Sequence, residues 1–222
     1  MADAQIRVRV WSEHTAKRDV YPNDINGAVA DILRPDTNLS VTTAELVDIG
    51  DGVPEEALAE TDVLVWWGHL LHRHVTDAAV ERIVRHVKER GMGFLALHSS
   101  HMCKPFTALI EDDGRLGGVA LDGGAERITV KAPDHPVAKG VSDFVIDKEE
   151  SYDEEFGCGK PDTEVFYSVF DNGQEFRSGL AYTIGNGRAF YFRPGHEEYL
   201  TFEHPSVRQV ISNAVYWTAG RS

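Results

Sequence analysis

Met92-Gly93-Phe94-Leu95-Ala96-Leu97-His98-Ser99-Ser100-His101 is the stretch that decides how the chain is read. Its apolar run, Phe94 to Leu97, has the length and composition of a strand buried on both faces of a parallel sheet. Two histidines three residues apart follow at once, with small hydroxyl residues between them. In an open α/β sheet, functional groups collect just beyond the carboxyl ends of the strands. His98, Ser99 and His101 therefore stand where chemistry would be placed.

The preceding sequence supports such a sheet. Ile6 to Trp11 alternates apolar and basic residues and reads as a first strand, ending in Glu13-His14. A helix spans Ile25, Val29, Ile32 and Leu33, with Pro35 just past its end. Leu39 to Ile49 reads as a second strand, and Pro54 opens a short helix. Val63-Leu64-Val65-Trp66-Trp67 is a third, fully buried strand that runs into Gly68-His69. Thr76 caps a helix whose Val80, Ile83, Val84 and Val87 share one face, placing His86 on the solvent side, and Gly91 ends it. Three strand–helix alternations predict a parallel sheet. Beyond Lys104–Ile110, a short helix, the chain turns β-rich: strands are expected at 127–131, 144–146, 164–170, 180–184 and 189–192. These either extend the sheet or form an antiparallel side layer. A last helix starts near Pro205. With no repeat or linker, residues 1–222 read as a single domain.

At 222 residues, folding buries roughly 70–75% of the unfolded surface without disulfide or structural metal. The formal net charge of −14, from 36 acidic and 22 basic residues, disfavours nucleic acid and anionic membranes as partners. Cys103 and Cys158 form no CxxC pair, and the opening residues lack a signal-peptide pattern. The expected setting is reducing and cytoplasmic, with free thiols.

His69, His98 and His196 each follow an apolar strand-like run. Strand ends of one sheet lie along one edge, so these side chains can converge with Glu13, His101, Arg193 and Glu197. Three imidazoles and a carboxylate suit a divalent metal (Zn, Mn or Fe), with Glu13, His69, His98 and His196 as candidate ligands. The same groups would also serve as an acid–base cluster, with His98, His101, His196 and Glu197 catalytic, or as structural hydrogen-bonding groups. Trp11, Tyr21 and Trp67 offer flat faces for a sugar ring or fill the core. Arg193 and Ser99 complete the candidate substrate contacts. No nucleotide cofactor is expected.

Four ordered motifs give a family resemblance: Val10-Trp11-Ser12-Glu13, Trp66-Trp67-Gly68-His69, Leu97-His98-Ser99-Ser100-His101 and Phe190-Tyr191-Phe192-Arg193-Pro194-Gly195-His196-Glu197. Together they resemble the ThuA family of trehalose-utilisation proteins, over nearly the whole chain. The resemblance implies a three-layer, flavodoxin-like fold of the class I glutamine amidotransferase type, with a mostly parallel sheet and a β-rich insertion. It also implies a role in using trehalose and related disaccharides, through 3-keto sugars. The alternative is a non-catalytic sugar-binding or regulatory module on that scaffold. A small-molecule sugar is the expected partner, and a homodimer or higher homo-oligomer the expected assembly. Amidotransferases of this class carry a Cys in a G-x-C-x-G elbow, where this chain has Ala96-Leu97-His98-Ser99-Ser100. Glutamine hydrolysis is therefore not expected, although His196 and Glu197 resemble the rest of that triad. Relatives often read W-N-E-x-x-H-E and Y-P-x-G-I-H; here Ser12 replaces the Asn, and Ala16 and Asn26 replace the two histidines.

Overall fold

A computed structural model describes residues 5–221. Its parallel strands are β1 (Ile6–Ser12), β2 (Leu39–Glu45), β3 (Val63–Trp67), β4 (Gly93–Leu97) and, late in the chain, β11 (Gly187–Phe192). Helices α1 (Asp24–Leu33), α2 (Glu55–Ala59), α3 (Asp77–Arg85), α4 (Lys104–Ile110) and α5 (Pro205–Thr218) connect or follow them. The intervening β-rich segment supplies β5 (Gly118–Ala120), β6 (Glu126–Val130), β7 (Phe144–Ile146), β8 (Ser151–Asp153), β9 (Thr163–Phe170) and β10 (Glu175–Ile184). Nine strands form one sheet in the order β2-β1-β3-β4-β11-β10-β9-β6-β7. The first five are mutually parallel, and from β10 onward each joins antiparallel. β5 and β8 pair separately as a two-stranded ribbon. The β-rich segment thus both extends the sheet and builds a side layer.

Successive residues of a strand point to opposite faces, and the central strands feed two cores in this way. Val63, Val65, Trp67, Leu95, Leu97, Phe190 and Phe192 pack toward α1 and α5. Leu64, Trp66, Phe94, Ala96, Ala189 and Tyr191 pack toward α3 and α4. Burial on both sides explains the unbroken apolar runs and yields a three-layer α/β architecture.

The start of α3 follows the sequence rule, because the Thr76 hydroxyl accepts the Ala79 amide. Its end does not. A turn of π-helix over His86–Arg90 follows α3, and an added residue of this kind shifts the apolar stripe. His86, expected in solvent, is buried against Glu55 (2.9 Å) and the Arg90 guanidinium (3.0 Å). Strand β2 also stops at Glu45, and the residues read as its continuation form a turn that exposes Val47 and Ile49. No helix among the described residues is long and apolar enough to cross a membrane.

Trp11 belongs to the core and cannot face a sugar. It is fully buried, stacks on Trp66 with ring centroids 3.6 Å apart, and donates its indole N–H to the Asp51 carbonyl. Trp11→Ala is expected to lower unfolding free energy by about 3–5 kcal/mol in denaturant titration. Ligand binding by the protein that remains folded should be unchanged; a binding defect without loss of stability would return Trp11 to the site.

Candidate functional site

Beyond the carboxyl ends of β3, β4 and β11, three imidazoles meet. Ring centroids of His98 and His196 lie 5.3 Å apart, those of His69 and His196 5.5 Å, and those of His69 and His98 6.1 Å. Two carboxylates join them. Glu150 Oε2 lies 3.2 Å from His98 Nε2, and Glu197 Oε1 lies 3.4 Å from His69 Nε2. His196 stands between the pairs, 4.0 Å from Glu150 Oε1 and 3.8 Å from Glu197 Oε2.

The backbone at the elbow is unusual. His98 adopts φ +53°, a left-handed conformation that costs a non-glycine residue of order 1 kcal/mol or more. A single-turn helix over His98–Met102 then begins. The strand–elbow–helix geometry expected from the family resemblance is therefore present, with imidazole in place of thiol. Cys103 is no substitute, since it is fully buried and burial pushes its thiol pKa far up.

Hydrogen bonds orient each ring. His98 Nδ1 lies 3.0 Å from the Arg193 carbonyl, which can only accept, so Nδ1 carries a proton and Nε2 faces Glu150. His69 Nδ1 contacts Ser99 Oγ at 2.7 Å, turning Nε2 to Glu197. Ser99 Oγ lies 2.9 Å from the Tyr152 hydroxyl, which is itself 3.4 Å from His98 Nε2. Burial raises the Tyr152 phenol well above its usual range, so it keeps its proton and completes a chain from His69 to His98. His196 Nδ1 accepts the Glu198 amide at 3.1 Å, so the neutral ring carries its proton on Nε2, toward Glu150.

Electrostatics favour an ionised Glu150. Burial opposes its charge, but contact with His98 and the positive fields of His98, His196 and Arg193 hold its carboxyl down at about 2. Burial lowers His196 below the ordinary histidine range, helped by His98 and opposed by the neighbouring glutamates.

Arg193 holds this arrangement together from beneath. It is fully buried and pairs with Glu126 on β6 and with Glu149 at 3.6 Å. It also donates to the Glu150 carbonyl and packs between the rings of Tyr152 and Phe170. Glu149 in turn accepts from the amides of Gly195 (3.0 Å) and His196 (3.3 Å) and from the Thr201 hydroxyl (2.7 Å). Arg193 thus has no free edge for substrate, contrary to the expectation from its position at a strand end.

Other expected contacts are also internal. The Trp67 indole donates to the Gly195 carbonyl at 3.0 Å, beneath the cluster. The Tyr21 hydroxyl donates to the Tyr199 carbonyl and is buried, which raises its pKa beyond the usual range. Glu13 is not within the histidine cluster. Its Oε2 accepts the amides of Leu70 and Leu71 (2.7 and 2.9 Å), bracing the loop that carries His69. Gly68 permits this close approach, because a Cβ there would lie 3.1 Å from Glu13 Oε1. His101 is buried with Nδ1 2.6 Å from the Gly114 carbonyl, and burial lowers its pKa to about 3, so it is a neutral donor. Asn26, at a position where relatives carry His, donates to the Ala44 carbonyl and lines a separate depression with His14.

Glu150 and Tyr152 were not legible as site residues. They lie beside a short acidic run in the β-rich segment, where charge is ordinarily solvated. Only the pairing of β8 with β5 and the grip of Arg193 bring them to the cluster.

Two overlapping sets have the chemistry of a cation site: His98, Glu150 and His196, all buried, and His69, His196 and Glu197. Two ligands about 2.1 Å from a tetrahedral ion stand roughly 3.4 Å apart, close to the 3.2 and 3.4 Å His–carboxylate separations. Glu150 Oε2 and Glu197 Oε2 are buried without a hydrogen-bond donor. Such orphaned anionic oxygens suit a cation between the rings. The cluster opens into a cleft of about 760 Å³ lined by His69, Ser99, His101, Glu150 and Tyr152.

Comparison with known proteins agrees with this geometry at the level of fold. The ThuA family model, described as trehalose utilisation, matches residues 7–218. A ThuA-like protein from Parabacteroides merdae superposes with TM-score 0.74 at 17% identity, covering 98% of this chain and 91% of its own. One from Bacteroides uniformis gives TM-score 0.74 at 15% identity, with 98% and 93% coverage. A GMP synthase component from Thermoplasma acidophilum gives TM-score 0.60 at 10% identity, with 97% and 95% coverage, placing the fold beside the glutamine amidotransferases. No curated protein matches the chain.

The buried neutral His101 makes a pH prediction. Its pKa falls from 6.5 unfolded to about 3 folded, so between these values the unfolded chain binds the extra proton. Stability is intact above pH 6.5 and is lost as pH falls, by up to about 1.4 kcal/mol per unit from this ring. Urea melts at pH 7 and pH 5 should show a smaller drop for His101→Asn, which keeps a donor toward Gly114; an unchanged drop would contradict the assignment.

Proposed function

The chain belongs to the ThuA trehalose-utilisation family, and we propose that it is an enzyme acting on an oxidised disaccharide such as a 3-keto sugar at a cation-assisted histidine centre. The observation that carries this reading is the convergence of His69, His98, His196, Glu150 and Glu197 on one cleft, with two orphaned carboxylate oxygens. His98 Nε2, Glu150 and His196 would hold a divalent zinc, manganese or iron ion. Binding there requires the His196 proton to move from Nε2 to Nδ1, giving up the Glu198 amide bond, at about 1 kcal/mol. The bound ion would supply Lewis acidity toward a ketone oxygen or water.

His69 does the proton work. Its side chain is 21% exposed, whereas those of His98 and His196 are closed off at 0% and 4%. Ser99 fixes its orientation and Glu197 stabilises its protonated form, so Nε2 can take a proton from the carbon beside a ketone and return it. Tyr152, held protonated, donates within the Ser99–His98 chain and preserves that alignment. Thiol-based glutamine hydrolysis has no place here, because the elbow residue is His98 and both cysteines are buried.

Elemental analysis of purified protein is expected to find one divalent ion per chain, with His98→Ala and Glu150→Ala each losing at least about 90% of it, equivalent to about 1.4 kcal/mol or more. The same samples incubated with 3-keto-trehalose should turn it over only when metal is bound. Full metal occupancy in both variants would remove the site. Binding of the sugar with no product would leave a non-catalytic module.

A further inference from the structure

The cleft beyond the histidines is basic, although the chain as a whole carries a net charge of −14. Arg73, Lys104 and Arg115 line it, and Glu150 is its one lining carboxylate. Lys104 is already engaged, with its ammonium 2.9 Å from Asp77 and 2.7 Å from the Val75 carbonyl. The other two are not. Arg73 is exposed and has no ion pair or hydrogen bond among the described residues. Arg115, its side chain 69% exposed, has only Asp113 at 3.8 Å.

Buried site groups brace both arginines. Glu13 accepts the amides of Leu70 and Leu71 and lies 3.7 Å from His72 Nδ1, anchoring the single helical turn His72–His74 that presents Arg73. His101 donates to the Gly114 carbonyl, next to Arg115, whose own carbonyl accepts the Gly157 amide. Glu13 and His101 therefore have a use that the proton and cation chemistry leaves open: each fixes the backbone that carries one cleft cation. Two guanidiniums on braced backbone, facing a cleft with little counter-charge, match the planar oxygens of a carboxylate or phosphate.

We infer that the substrate is an anionic sugar derivative, bearing a carboxylate or a phosphate ester that Arg73 and Arg115 hold while its reacting end lies at His69. This specificity rests on the reading of the cleft as a sugar site. Leu70, Met102 and Val119, also lining the cleft and each more than half exposed, leave apolar wall between the two ends.

Calorimetric titration of the metal-loaded protein with D-glucuronate, glucose 6-phosphate and glucose tests it, beside the Arg73→Ala/Arg115→Ala double variant. At least one anionic sugar is expected to bind about tenfold more tightly than glucose, and raised salt should erode the difference. The double variant should lose that tenfold while keeping its melting temperature and metal content. Preference for glucuronate alone would identify a carboxylate, and for the phosphate alone a phosphate ester. Equal binding of all three, no saturable binding of either anion, or a preference that survives in the double variant would each overturn the inference. Metal content separates this from the catalytic proposal. Charge preference in a chain that retains no metal would sink the cation reading alone, and full metal without charge preference would sink the anionic substrate alone.

Discussion

A single buried guanidinium ties the two halves of this protein together. Arg193 leaves the end of a parallel strand and meets Glu126 on an antiparallel one, while Glu149 reaches it from the connecting segment. All three are fully buried, and a charge in such surroundings persists only when paired and hydrogen-bonded. The pairing also has directional consequences. Glu149 uses its remaining capacity on the amides of Gly195 and His196, and Arg193 grips the carbonyl of Glu150. The ionic core therefore sets the relative position of the His196 loop and the Glu150 side chain, which must agree for the cluster to form.

Above that base, the site combines two kinds of support. Strand ends of the parallel half deliver His69, His98 and His196 as rigid extensions of the sheet, and each ring is oriented through one nitrogen by a fixed oxygen or amide. The β-rich segment then adds Glu150 and Tyr152 from the side. Strain at His98, in the left-handed region, is accepted at the point where the ring must turn back over the strand end. The same elbow in an amidotransferase carries a thiol; here it carries a ring that can bind a cation or a proton.

The parallel half of the fold was legible because its strands are buried on both faces and its helices are amphipathic, so periodicity alone separates them. The ribbon of Gly118–Ala120 with Ser151–Asp153 was not, since three-residue strands carry no pattern. His69, His98 and His196 were legible as strand-end residues. Arg193 sits at an equivalent position yet turns inward, because two glutamates distant in sequence need its charge, and no local signal reveals them. Trp11 misled for a related reason: aromatic residues at a strand end stack in the core as readily as they face a ligand. The π-type turn after α3 likewise redirected His86 in a way that helical spacing cannot anticipate.

The central claim is that side chains from three strand ends and the β-rich segment enclose one divalent cation. Anomalous diffraction from crystals grown with manganese or zinc, recorded at the metal's absorption edge, tests it most directly. One peak about 2.0–2.3 Å from His98 Nε2, a Glu150 oxygen and His196 Nε2 is predicted. No peak between these residues, or a peak held by surface acids alone, would contradict the account.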